Sequence, residues 1–142
     1  MHVELSAAAT LAERAARAGG RIIRAAATGP QQVSHKGVID LVTEVDLASE
    51  ATIRELLAKE SPGVPVHDEE GGGAAEASTR WIVDPLDGTT NFVHGFPSYC
   101  VSIGLQDDGV LVAGCVYDPI RDEAYTAALG RGAFCEGQRL RV

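Results

Sequence analysis

Two aspartates follow an apolar segment of the chain and are separated by only two residues. The segment Trp81–Phe92 reads WIVDPLDGTTNF, so that Asp84 and Asp87 flank Pro85, which restricts the backbone between them. This spacing can aim both carboxylates and the Leu86 carbonyl at one point. Oxygen ligands of this kind suit Mg²⁺, so the pattern predicts a cation site where a strand ends. The same Asp-Pro-x-Asp-Gly pattern is also a favourable turn sequence.

The residues that follow this pair are suited to an anion. Gly88 lets the backbone approach a ligand closely. If Thr89–Phe92 begins a helix, the amides of Gly88 and Thr89 are free to bind a phosphate. A cation together with these amides would overcome the repulsion that an acidic protein exerts on a phosphate.

Two further acidic segments support the cation site. Asp40–Asp46 reads DLVTEVD, and His67–Glu70 reads HDEE after a short apolar run. Each segment alone is more typical of a solvated helix end or loop. Three acidic clusters in one small domain would repel one another, however, unless a cation lay between them.

Helices are predicted in the first half of the chain. Apolar residues recur at intervals of three and four from Leu5 to Ala27, which predicts an amphipathic helix that ends at Gly29-Pro30. The pair Gly19-Gly20 weakens this helix by about 1 kcal/mol per glycine, which indicates close packing against a neighbour. Val38–Val42 is predicted as a strand or extended segment, and Thr43–Lys59 as a second helix capped by Thr43 or Asp46.

The second half of the chain reads as a mostly antiparallel sheet. Short apolar segments alternate with turn sequences rich in Asp, Gly and Pro. The two helices would cover one face of about five strands, which is an α+β fold. The strands with the clearest pattern are Arg80–Val83, Tyr99–Leu105, Leu111–Tyr117 and Ala124–Ala127.

Composition restricts the classes of partner. The 142 residues are 45% hydrophobic and carry a formal charge of −8, which argues against nucleic acid and anionic membranes. The chain has neither a basic and apolar leader at its start nor 18 consecutive apolar residues, so we expect a cytoplasmic protein that does not span a membrane. Three separated cysteines are expected to be buried and reduced thiols: Cys100, Cys115 and Cys135.

The segment Trp81–Phe92, followed by Pro97 and Val101–Leu105, resembles the signature of the inositol monophosphatase family of Mg²⁺-dependent, lithium-sensitive phosphatases. Thr89 is followed by Thr90 and not by lysine, which resembles the inositol monophosphatase branch more than relatives that act on histidinol phosphate or 3′-phosphoadenosine compounds. Further segments match the family in order: Asp40–Asp46 its upstream acidic motif, Glu69-Glu70 its paired glutamates, and Gly132–Gly137 its closing glycine-rich strands.

The resemblance implies a set of metal ligands. Glu69, Asp84 and the Leu86 carbonyl would hold a first Mg²⁺, and Asp84 would bridge to a second that Asp87 also binds. Glu69 would also help to bind a third. Asp68 precedes this glutamate where the family often has a small residue, which adds charge beside the expected metals.

The resemblance also implies catalytic and substrate-binding residues. Thr89, oriented by Asp46, would position the water that attacks phosphorus, and Glu70 would support the site from behind the metal ligands. The residues expected to contact the substrate are Glu69, Leu86, Asp87, Gly88 and Thr89.

By the same resemblance, residues 1–142 are the N-terminal α+β domain of the inositol monophosphatase (sugar phosphatase) fold, and the family's C-terminal α/β domain is absent. The expected activity is Mg²⁺-dependent hydrolysis of a small phosphorylated alcohol, such as myo-inositol monophosphate, by a homodimer. The alternative is a catalytically incomplete metal- or phosphate-binding domain that acts through a partner chain.

Overall fold

Two long helices and one sheet dominate the computed structural model, which describes residues 4–29, 35–67 and 78–142. Within these ranges the helices are α1 (Leu5–Thr28), α2 (His35–Glu60) and α3 (Thr89–Val93). The strands are β1 (Val66–His67), β2 (Thr79–Asp87), β3 (Cys100–Asp107), β4 (Val110–Asp118), β5 (Glu123–Ala128), β6 (Gly132–Cys135) and β7 (Gln138–Arg139). No helix in these ranges is both long enough and apolar enough to cross a bilayer.

Helix α1 confirms the predicted amphipathic helix to within one residue. It begins after Glu4, whose carboxylate accepts hydrogen bonds from the backbone N–H groups of Ser6 and Ala7 at 3.1 and 2.6 Å. These are helix-end donors that would otherwise lack a partner. Small residues form most of the buried face, and they allow α1 to lie close to its neighbours: Ala8, Ala12, Ala15, Ala16, Gly19, Gly20 and Ile23.

Helix α2 corrects the sequence prediction. Val38–Val42 is helical and not a strand, and Thr43 and Asp46 lie inside α2, so neither caps it. The β-branched residues at the start of this segment suggested an extended backbone. A stripe of inward residues at intervals of four continues back through the helix, and tertiary packing along that stripe outweighs the local preference. Its buried members are Val45, Ser49, Ile53 and Leu57.

The seven strands of the described part form a single sheet in chain order, β1 to β7. Every neighbouring pair is antiparallel except β1 and β2, which are parallel. The predicted α+β class and the mostly antiparallel sheet are therefore confirmed. The sequence pattern suggested about five strands because β1 and β7 are only two residues long, too short for an alternating pattern to show.

The helices cover one face of the sheet. Trp81, Val101, Ile103 and Leu105 point into the core between the sheet and the helices, and Trp81 is only 1% exposed. The predicted close packing at the paired glycines is confirmed. A Cβ on Gly19 would lie 2.6 Å from Ser49 Oγ, and one on Gly20 would overlap the ring of Tyr117.

Arg17 links α1 to the turn before β5 and the turn after β6. Its Nη2 donates to both carboxylate oxygens of Glu136 at 2.7 and 2.9 Å, and its Nη1 donates to Asp122 at 3.0 Å. The guanidinium also lies 5.1 Å from the centre of the Tyr117 ring. The backbone N–H of Ala124 and then Arg17 lower the pKa of Glu136, and the Tyr117 hydroxyl and then Arg17 lower the pKa of Asp122.

The other face of the sheet is apolar and exposed in the described structure. Leu111, Val116 and Tyr125 point away from the helices, because they alternate along their strands with residues of the core. Together with Leu129 and Leu140 they surround a shallow concavity of about 760 Å³.

Candidate active site

Asp84 and Asp87, the two aspartates of the segment Trp81–Phe92, lie in a bulge of β2. Asp84 pairs with Ser102 of β3, but Asp87 pairs with Cys100, so two residues of β2 oppose one residue of β3. Bulges of this kind bend a strand and redirect its side chains. Both aspartates are exposed, whereas the Leu86 side chain between them is buried and anchors the bulge in the core. The predicted strand end at Val83 and the alternative of a turn are therefore both wrong, since β2 continues through the bulge to Asp87.

Helix α3 begins directly after the bulge, which meets the condition under which the sequence leaves the amides of Gly88 and Thr89 free. Gly88 has φ +92°, in the left-handed region that favours glycine, and accepts the helical hydrogen bond from Phe92 N at 3.0 Å. A Cβ at this position would lie 3.0 Å from the carbonyl oxygen of Ser98. The side chain of Asn91 donates to that same oxygen at 2.7 Å, which ties α3 to the loop before β3.

Helix α2 brings a third carboxylate to the bulge. Burial raises the pKa of the Asp46 carboxyl, and the charges of Asp84 and Glu50 raise it further. Asp46 and Asp84 are 38 positions apart in the chain but close enough to repel each other. The site therefore concentrates negative charge, which is the electrostatic condition for binding a cation.

Ser49 lies one turn after Asp46 on the same helix, and sequence reasoning missed it. Its side chain is completely buried, and its Oγ donates a hydrogen bond to the carbonyl oxygen of Pro85 at 2.8 Å. Pro85 lies in the bulge between Asp84 and Asp87. The one signal in the sequence is its position, four residues from both Val45 and Ile53, which places it on the inward face of α2.

Cys100 stands opposite Asp87 across the β2–β3 pair. The thiol donates towards Asp87 Oδ2, with a distance of 3.9 Å between Sγ and the oxygen. Burial raises the pKa of this thiol to about 11, and the charges of Asp87 and Asp84 contribute to the shift. None of the three cysteines is bonded to another, but the predicted burial holds only for Cys115, since Cys100 and Cys135 are half-buried.

A cleft of about 420 Å³ opens beside the bulge. Its lining includes Asp87, Gly88, Asn91, Cys100 and Tyr125. A space of this size accommodates a small ligand. The cleft therefore places one of the predicted metal ligands and the start of α3 on the same wall.

Most of the predicted site residues fall on elements that meet at this point. Asp84, Leu86 and Asp87 lie on β2, and Gly88 and Thr89 at the start of α3. The predicted ligand Glu69, its neighbour Asp68 and the predicted supporting residue Glu70 lie outside the described residues. Within residues 4–29, 35–67 and 78–142, no three carboxylate, histidine or cysteine side chains converge closely enough to enclose a metal ion by themselves.

Comparison with known proteins decides the family. A profile of the inositol monophosphatase family matches residues 4–142. The chain belongs to this family. It is 49% identical over 138 residues to inositol monophosphatase 2 of Solanum lycopersicum, and 46% identical over 138 residues to the Nus factor SuhB of Pseudomonas aeruginosa. These matches cover 93% of this chain in both cases, but 52% and 51% of the two relatives.

Solved structures of inositol monophosphatase family members share the fold. The extragenic suppressor protein suhB of Bartonella henselae superposes with a TM-score of 0.83 at 38% identity, covering 96% of this chain and 54% of that chain. The inositol monophosphatase of Anabaena gives a TM-score of 0.82 at 34% identity, covering 96% and 50%. The chain therefore spans about half the length of the relatives and solved structures named here.

Proposed function

We propose that this chain carries metal- and phosphate-binding residues of a Mg²⁺-dependent phosphomonoesterase. The reaction would hydrolyse a small phosphorylated alcohol, such as myo-inositol monophosphate, to the alcohol and phosphate. The observation that carries the proposal is the β2 bulge, which presents Asp84 and Asp87 directly before the start of α3 and near Asp46. Membership of the inositol monophosphatase family supports a phosphatase activity.

The described residues fit Mg²⁺ as a cofactor. Mg²⁺ is commonly held by one or two carboxylates, with water and substrate phosphate completing its octahedron. Asp84 and Asp87 would supply these carboxylates, the Leu86 carbonyl a third oxygen, and Glu69 a fourth by family resemblance. Burial raises the pKa of Asp46, and the nearby charges of Asp84 and Glu50 raise it further, so a cation at this point would favour the ionised carboxylates. When bound, Mg²⁺ would offset the charge of the phosphate and activate water.

The protein's own groups would position the reactants. The backbone N–H groups of Gly88 and Thr89 would donate to phosphate oxygens at the start of α3. The Thr89 hydroxyl would orient the attacking water, with Asp46 as its hydrogen-bond acceptor. Glu70 would support the metal ligands. Such positioning turns a bimolecular attack into one between groups already in place.

The substrate class rests on the size of the cleft and on the names of the relatives. A cleft of about 420 Å³ suits a phosphorylated alcohol of the size of a sugar. Thr90, where some relatives are expected to have lysine, supports the inositol monophosphate branch. A homodimer is an expectation that comes from the family resemblance, and a cytoplasmic location agrees with the three cysteines, which are not bonded to one another.

The test is phosphate release from myo-inositol 1-monophosphate by the purified 142-residue chain, with and without Mg²⁺. Asp84→Asn should lower the rate by more than about tenfold, because a metal ligand is lost. Asp108→Asn is the matched control: it removes the same charge from the β3–β4 turn, where φ is +52° and asparagine is well tolerated. Release that is independent of Mg²⁺, or equal in both variants and the unmodified chain, would refute the proposal.

A second candidate is a catalytically incomplete domain that binds metal or phosphate and acts through a partner chain. It shares the cation site with the first candidate and differs from it only in the absence of turnover. Mg²⁺ binding that depends on Asp84, without phosphate release at any Mg²⁺ concentration, would support this candidate over the first.

A further inference from the structure

Ser49 is a buried polar residue in an otherwise apolar stripe. Its neighbours one turn before and after on the inward face of α2 are Val45 and Ile53, both buried in the core. A buried hydroxyl without a partner would destabilise the fold by about 1 to 3 kcal/mol. Ser49 avoids that loss with one hydrogen bond, from Oγ to the Pro85 carbonyl at 2.8 Å.

The acceptor of this bond lies at the centre of the bulge. The register of the β2–β3 pair passes from Asp84 directly to Asp87, so Pro85 has no partner residue in the ladder. The Ser49 hydroxyl supplies the missing partner from the helix side. Because the bond acts on the peptide between the two aspartates, it restrains the direction in which each carboxylate leaves the strand.

Gly19 of α1 keeps the hydroxyl in this position. A Cβ on Gly19 would lie 2.6 Å from Ser49 Oγ and 2.8 Å from Ile53 Cδ1. The glycine therefore lets α1 and α2 approach until Ser49 Oγ is enclosed between α1 and the bulge. An enclosed hydroxyl has little freedom to turn away from Pro85.

We propose that Ser49 is a positioning residue for the metal site. It holds the Pro85 carbonyl so that Asp84 and Asp87 are preorganised to receive one cation between them. This inference rests on the proposed function, since it concerns the same carboxylates. Ser49 itself touches neither metal nor substrate.

The test is Mg²⁺ binding to the purified 142-residue chain, measured by isothermal titration calorimetry. Ser49→Ala removes the hydroxyl and should raise the Mg²⁺ dissociation constant by about tenfold, the effect typical of losing a group that orients a ligand. Ile53→Val is the matched control, because it weakens the core at the next turn of α2 without losing a hydrogen bond to the bulge. It should lower the melting temperature but leave Mg²⁺ affinity unchanged.

A second variant keeps the test decisive if Ser49→Ala does not melt cooperatively. Ser49→Cys retains a side chain of similar size with a weaker hydrogen-bond donor. It should fold and still raise the dissociation constant by several-fold. Unchanged Mg²⁺ affinity in a folded Ser49 variant would overturn the inference and leave the proposed function intact. If the unmodified chain binds no Mg²⁺, both the inference and the proposed metal site are wrong.

Discussion

Replacing Gly20 with alanine tests whether a missing side chain sets the distance between α1 and the sheet. A Cβ at this position would overlap Cε2 and Cδ2 of the Tyr117 ring. The ring is 5% exposed, and its hydroxyl donates to Asp122 at 2.6 Å, so it is held at both its edge and its tip. Either α1 or Tyr117 must move to admit one methyl group.

Two opposed contributions decide the sign of the effect. Glycine in a helix interior is less favourable than alanine by about 1 kcal/mol, so the substitution gains that amount. Overpacking a closely packed core costs about 1 to 3 kcal/mol, and the upper part of that range applies because Tyr117 is restrained. The net expectation for Gly20→Ala is a loss of about 1 to 2 kcal/mol, which lowers the melting temperature by roughly 3 to 6 °C.

The assay is urea unfolding, monitored by the fluorescence of Trp81. Trp81 is the only tryptophan of the chain and is buried. Arg21→Ala is the control, because Arg21 is the exposed next residue of α1 and its substitution should change stability by less than about 0.5 kcal/mol. A Gly20→Ala chain as stable as the unmodified protein, or more stable, would show that the helix propensity outweighs the contact with Tyr117.

Two further predictions concern other contacts of the sheet, made by Arg17 and by Trp81. Arg17→Ala should lower the melting temperature at pH 7. The pKa values of Glu136 and Asp122 are lowered in the folded state. The contribution of the two carboxylates to the free energy of unfolding is therefore present above their unfolded pKa values. It is lost as the pH falls through their folded pKa values, so the melting temperatures of the variant and the unmodified chain should converge in acid. Trp81→Phe should cost about 1 to 2 kcal/mol, measured by urea unfolding followed by circular dichroism, because it leaves a cavity and removes the hydrogen bond from Nε1 to Ser61 Oγ at 3.2 Å.

The sequence predicted α1 and the main strands because their signals are local. The interval of three and four in α1 and the alternation along β3 and β4 each arise from one buried face. The start of α2 could not be predicted in this way. The residues from Val38 to Val42 favour an extended backbone by type, and their helical state depends on continuity with the stripe that reaches Ile53 and Leu57.

In the site as well, features within one short segment were predictable, and contacts between distant segments were not. Asp84, Asp87 and Gly88 were predictable because one short segment contains the carboxylates, the proline and the glycine. The proximity of Asp46 to the aspartates of β2 was expected from the family resemblance, but not its place in the middle of a helix. The spacing of Ser49 from Val45 and Ile53 indicates an inward position, but its partner could not be predicted, because that partner is a backbone carbonyl 36 residues away.

The arrangement of charge also accounts for how an acidic protein could bind an anionic substrate. A net charge of −8 repels phosphate at long range, and Asp46 and Asp84 concentrate negative charge at the bulge. Burial raises the pKa of Asp46 and the charges of Asp84 and Glu50 raise it further, so ionising this carboxyl carries an energetic cost. Binding a divalent cation removes that cost and reverses the sign of the local field, so the same carboxylates that repel the substrate alone would attract it with the cation. Metal binding and substrate binding are therefore expected to be ordered, with the cation first.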